Sequence, residues 1–200
     1  MRRTLILALW LAALLPIPAA FAVDIMPMTN VSFFMHGGAR SMSHDFWAPT
    51  ENQGAFAFEI ELTERRSLYS ILMGFSSSSA TVVEMRDSGG GHGLEITGSV
   101  LEFYVGARTY FRMNPMMEMY VDAGASVFNA SLEIPEIYML QKAVSGAGLG
   151  GFFGGGIMVN MNPFKVGFQV RSMVTSEFTM LDTTTSANYT QLAITFGVGF

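Results

Sequence analysis

The chain has 200 residues, of which 50% are hydrophobic and only 14% are charged, and its formal net charge is −5. This acidic balance disfavours nucleic acid as a partner. Because cysteine is absent, disulfides, zinc–thiolate sites, cysteine nucleophiles and lipidation at a mature N-terminal cysteine are excluded.

The first 22 residues have the features of a secretory signal peptide. Arg2 and Arg3 form a basic segment, residues 5–15 form an apolar run, and Ala20-Phe-Ala22 is a small-x-small cleavage site. The apolar run is shorter than the roughly 20 residues of a spanning helix, which disfavours a retained anchor. We expect cleavage after Ala22, leaving one domain of residues 23–200.

The mature sequence alternates bulky apolar residues with small or polar ones, which predicts β-strands with one apolar face. The first four predicted strands are residues 31–40, 55–63, 67–76 and about 94–111. Residues 41–53 and 77–93 are predicted to be long loops, and residues 64–66 a tight turn. The alternation changes phase near Gly98, which predicts either a bulge there or an irregular start to the strand.

Four further strands are predicted at residues 117–128, 151–161, 165–174 and 189–200. Arg112-Met-Asn-Pro115 and Asn160-Met-Asn-Pro163 are predicted turns, since proline cannot donate to a sheet ladder. Residues 129–150 and 175–188 are predicted loops, the first with one or two helical turns in residues 136–144. Long and short connections thus alternate. This pattern predicts an all-β, eight-stranded antiparallel up-and-down transmembrane β-barrel.

The last predicted strand reads YTQLAITFGVGF. Its bulky apolar residues alternate with Gln, Ala, Thr and Gly, and the chain ends on an aromatic residue of the apolar face. We interpret this segment as the strand that closes the barrel. Phe196, Val198 and Phe200 are the expected assembly signal.

The alternation alone does not say which face of the barrel is outside, because a soluble barrel has the same period. A water-facing exterior would carry many charged residues, yet the only lysines are Lys142 and Lys165. The less apolar face consists mainly of Gly, Ala and Ser, which suit a narrow lumen. We therefore place the bulky apolar face against lipid.

The signal peptide, eight alternating segments, alternating connections and terminal Phe200 cover the whole mature chain. On these features it resembles the small outer-membrane β-barrel proteins, including the OmpA membrane domain, OmpX, OmpW and the opacity-type adhesins. The resemblance implies a place in the outer membrane of a Gram-negative bacterium, among outer-membrane lipid and lipopolysaccharide. It also implies the barrel assembly machinery as a partner during biogenesis. We expect a monomer with no cofactor and no nucleic-acid partner.

Several charged residues fall at inward positions of the predicted strands. They are Arg40, Glu59, Glu61, Glu102, Arg108, Glu118, Asp122 and Arg171. Since an isolated buried charge is costly, we expect an ion-pair network that fills the lumen. The alternative is the lining of a selective conduit. Counting outward from the turn at 112–115 places Arg108 opposite Glu118, which predicts a cross-strand ion pair.

No catalytic, cofactor or metal site is predicted. Ser43-His44-Asp45 contains the residue types of a catalytic triad, but neighbouring residues on an extended chain point in opposite directions. Asp87 and the glycines that follow fall short of the six or more oxygen ligands of a calcium ion. We expect a non-enzymatic structural or surface-interaction role through extracellular loops. The alternative is a small porin-like conduit for hydrophobic or tiny polar solutes.

Overall fold

The computed structural model describes residues 29–48, 50–64, 69–85, 93–134, 142–180 and 183–200. The predicted signal peptide lies outside these residues, so its cleavage and the domain boundary at residue 23 stay predictions. The same holds for residues 136–141 of the predicted helical turns, whereas residues 142–144 already belong to a strand.

The described part of the chain contains ten strands and one 3-10 helix, Asp45–Trp47. In chain order the strands are β1 (Thr29–Met42), β2 (Asn52–Glu64), β3 (Tyr69–Met85), β4 (Gly93–Arg112), β5 (Met117–Ile134), β6 (Lys142–Met161), β7 (Phe164–Thr175), β8 (Phe178–Met180), β9 (Thr183–Thr185) and β10 (Tyr189–Gly199). Within the described ranges, no helix is long and apolar enough to span a membrane.

Eight of these strands form a closed antiparallel barrel in the order β1-β10-β7-β6-β5-β4-β3-β2. The pairing of β1 with β10 closes it, from Ser32 opposite Gly199 to Met42 opposite Tyr189. The predicted eight-stranded up-and-down barrel is therefore confirmed. The two remaining strands, β8 and β9, form a separate hairpin in the connection between β7 and β10.

The alternation of side chains places large apolar residues outside and polar residues inside. On β2, Phe58 is 50% exposed while its neighbour Glu59 is 2% exposed, and the other barrel strands follow the same pattern. A closed barrel satisfies its backbone hydrogen bonds internally, so an apolar exterior of this kind fits a bilayer. By the usual topology of such barrels, the short turns are periplasmic and the long connections extracellular.

Strands β3, β5 and β6 are longer than predicted at their extracellular ends. Residues 77–85, 129–134 and 142–150 belong to strands rather than loops, so those loop predictions were wrong. The outward positions of these segments are mostly small or polar, as expected where the sheet rises above the apolar band. Its outward residues include Ser79 and Asn129, both exposed.

The predicted bulge near Gly98 was also wrong. β4 keeps one continuous register with β3, from Gly93 opposite Met85 to Thr109 opposite Tyr69. The phase of the hydrophobic pattern changes because the inward face itself becomes apolar near the extracellular end. Val100 is buried there and Ile96 packs beside it.

Candidate functional site

Seven of the eight charged residues predicted to face inward meet inside the barrel, where each is at most 5% exposed. This lumen network consists of Arg40, Glu59, Glu61, Glu102, Arg108, Asp122 and Arg171. Glu118 does not belong to it. It lies near the periplasmic end of β5, with Oε1 3.8 Å from Nε of the exposed Arg112.

Arg108 is the centre of the half of the network that lies nearer the periplasmic end. Its Nη1 lies 2.7 Å from Oε1 of Glu59 and 2.9 Å from Oε2 of Glu61. Its Nη2 donates to Oδ2 of Asp122 at 2.8 Å, and its guanidinium lies over the ring of Tyr120. One arginine therefore joins three carboxylates carried by β2 and β5.

The predicted Arg108–Glu118 pair was wrong. β4 and β5 pair symmetrically about the turn, so Arg112 lies opposite Glu118 and Arg108 lies opposite Asp122. The prediction compared a residue four positions before the turn with one only three positions after it, so the two were not in register. The correct count predicts the observed pair.

The half of the network that lies nearer the extracellular end is built around Glu102. Its Oε1 accepts a hydrogen bond of 2.6 Å from Nη2 of Arg171, and its Oε2 accepts one of 2.6 Å from the Tyr189 hydroxyl. Nη2 of Arg40 lies 3.6 Å from the same carboxylate. The Arg40 guanidinium also donates to the hydroxyls of Ser76 and Ser78 and to the amide oxygen of Gln191.

Aromatic rings fill the space between the charges. The Arg171 guanidinium lies 3.8 Å from the ring centroids of both Tyr104 and Phe152. The Tyr104 hydroxyl donates to Oε2 of Glu59 at 3.2 Å, which links the two halves of the network. The Tyr110 hydroxyl donates to Oε2 of Glu61 at 2.6 Å.

Glycines on the inward face make room for these large side chains. A Cβ at Gly156 would lie 2.7 Å from Cζ of Tyr120, and a Cβ at Gly124 would lie 2.6 Å from Cε1 of Phe152. A Cβ at Gly74 would overlap the Tyr104 ring. The chain is rich in glycine, and these inward glycines are needed because a larger side chain would collide with the lumen aromatic rings.

The extracellular mouth of the barrel holds an apolar layer that the sequence analysis missed. This mouth cluster consists of Met42, Trp47, Val100, Phe128, Ala130, Leu132, Met173, Phe178, Met180, Ala187 and Tyr189. Trp47 comes from the β1–β2 connection and is 0% exposed. Phe178 and Met180 come from β8. The signal in the sequence was the apolar Phe46-Trp47 pair and the alternating Phe178-Thr-Met180 inside segments otherwise read as polar loops.

Hydrogen bonds fix these two connections to each other and to the barrel. The Trp47 indole N–H donates to the Ser186 carbonyl at 2.9 Å. The Asn188 amide oxygen accepts from the Thr175 backbone N–H at 2.7 Å. His44 accepts a hydrogen bond from the Phe46 backbone N–H at 3.2 Å and caps the 3-10 helix, which is a structural role for the histidine of the Ser43-His44-Asp45 sequence.

Two further lumen-facing residues were not singled out from the sequence. His36 is buried with Nδ1 2.9 Å from the Thr195 hydroxyl and Nε2 3.9 Å from Oε2 of Glu59. Nζ of Lys165 lies 5.6 Å from the rings of Phe34 and Tyr110 near the periplasmic end. Among the residues described, no group of three or more His, Asp or Glu side chains is placed to hold a metal ion.

No family model and no curated protein matches the chain. Similar solved structures include Ail of Yersinia pestis in complex with the heparin analogue sucrose octasulfate (TM-score 0.58, 14% identity), which covers 86% of this chain and 99% of Ail. OprG of Pseudomonas aeruginosa has a TM-score of 0.53 and 11% identity, covering 86% of this chain and 96% of OprG.

Neisserial surface protein A has a TM-score of 0.51 and 12% identity, covering 86% of this chain and 97% of that protein. At these identities the similarity concerns the fold. The chain has the fold of the small outer-membrane β-barrels, as its resemblance to them predicted.

Proposed function

We propose that this barrel is closed along its lumen, and that it acts without catalysis through its extracellular surface, from the outer membrane. The observation that carries the proposal is the burial of the lumen network. Arg40 and Arg108 are each 1% exposed and Glu102 is 0% exposed. A continuous water path beside these side chains would leave them solvated, whereas they are engaged by carboxylates, hydroxyls and rings.

The mouth cluster supports the proposal independently. Trp47 and Phe178 come from two different connections, and both are buried in the same cluster as Val100, Phe128 and Leu132. Burial of large aromatic side chains is strongly favourable, so the resting position of these connections is over the mouth. Solutes entering from outside would meet an apolar layer and then a charged one.

The extended strands support a role at the cell surface. β3 to β6 contain 17, 20, 18 and 20 residues, against 14, 13, 12 and 11 in β1, β2, β7 and β10. At about 3.3 Å per residue, the additional residues carry one wall of the barrel well above the apolar band. This wall presents a fixed polar surface to a partner.

The charge of the extracellular side indicates which partners fit. Among the extracellular side chains that the structure describes, the exposed charged ones are acidic: Asp45, Glu51, Glu95, Glu133 and Glu177. The solved structure of Ail holds a heparin analogue, but a polyanion would be repelled by this acidic surface. We therefore infer a neutral or cationic partner for this protein.

Planar-bilayer recordings test the closed lumen. We expect the refolded wild-type barrel to give no steady conductance steps, with its heat-modifiable electrophoretic form as the control for correct insertion. A double variant of the mouth, Trp47→Ser with Phe178→Ser, should stay silent because the lumen network remains. Adding Tyr104→Ser and Arg171→Ser should produce steps. Steady steps from the wild type would contradict the proposal.

One observation favours the alternative, a small conduit. His36 Nε2, Tyr120 Oη, Asp122 Oδ1 and Asn160 Oδ1 are buried and have no hydrogen-bond partner among the described residues. Buried polar atoms of this kind are usually satisfied by water. A chain of such waters would pass tiny polar solutes or protons, and steady wild-type conductance in the same recordings would favour this role.

A further inference from the structure

The extracellular wall formed by β3 to β6 has one edge that no strand of the described residues covers. β2 pairs with β3 only as far as Gly54 opposite Ser79, whereas β3 continues beside β4 as far as Met85 opposite Gly93. Residues 80–85 therefore pair with β4 on one side, and their other side forms an open edge. At about 3.3 Å per residue, the open edge is about 20 Å long.

The odd-numbered residues of β3 direct their backbone groups to the open edge. The Ser70 hydroxyl donates to the Arg108 carbonyl oxygen at 3.4 Å, so this carbonyl points from β4 towards β3. Because the bonding side alternates along a strand, the even-numbered residues of β3 bond to β4. Thr81 and Val83 thus direct their N–H and C=O groups to the side where a further strand would lie, and both side chains are exposed.

The open edge lacks the features that usually prevent strand addition. Natural edges carry lysine, proline or a bulge, but residues 80–83 read Ala-Thr-Val-Val and keep an unbroken register with β4. β-branched residues of this kind favour strands. The opposite edge of the wall is occupied, because the Ser176 backbone N–H donates to the Leu149 carbonyl of β6 at 2.8 Å. β3 therefore offers the edge to which a partner can bind.

The outer face beside the open edge is acidic. Glu95 lies opposite Val83, and Glu133 lies one strand further along on β5; both are exposed. A strand added to β3 would lie about 10 Å from β4, a distance that a lysine and a glutamate side chain bridge together when the lysine stem lies over Val83. On the inner face, the half-buried Val82 offers an apolar contact. A segment of alternating basic and apolar residues fits both faces.

We propose that the open edge binds an extended basic segment of another protein by β-strand addition, with backbone hydrogen bonds at Thr81 and Val83. This inference rests on the surface role proposed above and specifies how its partner binds. A second copy of this chain fits the edge poorly. Strands of such barrels are tilted by about 35–45°, so two β3 edges related by a two-fold axis along the membrane normal would cross at about 70–90°.

Fluorescence anisotropy tests the open edge, with the barrel in phosphatidylcholine nanodiscs and the labelled peptide Lys-Val-Lys-Val-Lys-Val-Lys as the probe. We expect saturable binding to the wild type and none to empty nanodiscs. Val83→Pro removes one N–H from the open edge but none from the β4 ladder, and should weaken binding by about tenfold. Val83→Thr is the matched control. It keeps the N–H and the β-branched shape, and should bind the peptide as the wild type does.

Variants of the peptide separate strand addition from attraction by charge alone. The same peptide N-methylated throughout keeps its charge but has no backbone donors, and should not bind. The peptide with glutamate in place of lysine should bind at least about tenfold more weakly. Undiminished binding of either peptide variant, or of Val83→Pro, would overturn the proposal. So would an equal loss in Val83→Thr and Val83→Pro, or a wild type that does not bind.

Two further readouts complete the test. A dimer of the barrel that Val83→Pro abolishes and Val83→Thr leaves intact would assign the open edge to a second copy, and heat-modifiable electrophoresis verifies that both variants fold. Absence of peptide binding to a barrel that is silent in planar-bilayer recordings would overturn strand addition and leave the closed barrel standing. Steady conductance of a wild type that binds the peptide would do the reverse.

Discussion

Arg108 on β4 lies directly opposite Asp122 on β5, and its Nη2 and Nε donate to the same carboxylate oxygen at 2.8 and 3.2 Å. The same guanidinium reaches Glu59 and Glu61 on β2, across the lumen from β5. Arg108 therefore ties together two walls of the barrel that share no backbone hydrogen bonds.

Arg108→Met should destabilise the barrel strongly. It leaves three carboxylates buried without their shared cation, and breaking a buried ion pair by removing one partner costs about 3–5 kcal/mol. Urea titration of refolding into lipid vesicles measures the loss. Adding Glu61→Gln and Asp122→Asn to Arg108→Met should recover part of it, because fewer uncompensated charges then remain.

Arg112→Met is the matched control for this prediction. Arg112 faces Glu118 in the same ladder, but its side chain is 76% exposed, so the pair is screened and worth about 0–1 kcal/mol. If Arg108→Met and Arg112→Met refold equally well, the lumen network is solvated and the closed-barrel account is wrong.

The inward glycines should be far less replaceable than the outward ones. A Cβ at Gly74 would lie 2.6 Å from the Phe58 carbonyl oxygen and would overlap the Tyr104 ring. Gly74→Ala should therefore cost about 1–3 kcal/mol, as other overpacked cores do. Gly37→Ala is the control, because nothing lies within 4 Å of its Cβ position. Equal stability of the two variants in the urea titration would show that the Tyr104 ring is not held as described.

Much of the barrel could be predicted from the sequence, because its outer face must be apolar over the thickness of the membrane. On β2 and β10 the period of two is unbroken, and the predicted strands agree with the observed ones to within a few residues. The prediction failed where that constraint ends. In residues 77–85 and 142–150 the outward face meets water, so small and polar residues take most of its positions although the strands continue.

The contacts inside the lumen were less predictable. The two-residue alternation correctly placed Arg40, Glu102 and Arg171 on the inward face. It could not identify their partners, because those partners come from strands far apart in the sequence. The mouth cluster was missed for a related reason. Trp47 and Phe178 lie in short segments without a sustained period, and only the three-dimensional arrangement brings them together.

The two faces of β2 should respond oppositely to a new polar group. Phe58→Arg places a charge on the lipid face, at a cost of about 2–4 kcal/mol near the bilayer midplane. Ala57→Ser, one residue away, points into a lumen already lined by His36 and Ser76, which flank it in the register, and should be nearly neutral. Refolding titrations that rank the two variants in the opposite order would reverse the assignment of inside and outside.

Phe200 should matter more for assembly than for stability. Its backbone N–H donates to the Val31 carbonyl at 2.9 Å, which any residue would allow, and its ring is largely exposed. Phe200→Ala should lower the amount of folded protein in the outer membrane while leaving the unfolding free energy of refolded protein nearly unchanged. Phe164→Ala, a lipid-facing aromatic at the same end of the barrel, is the control, and an equal loss of folded protein in both variants would refute a signal at Phe200.

Access of a small reagent to the lumen tests the closed barrel most directly. The chain has no cysteine, so Ser76→Cys and Ser126→Cys place single thiols beside the lumen network, while Ser145→Cys places one on the exposed outer face of β6. A charged methanethiosulfonate reagent should label the thiol at position 145 within minutes and leave those at 76 and 126 unlabelled in folded, vesicle-inserted protein. Labelling of all three positions at similar rates would demonstrate a water path through the barrel and contradict the account.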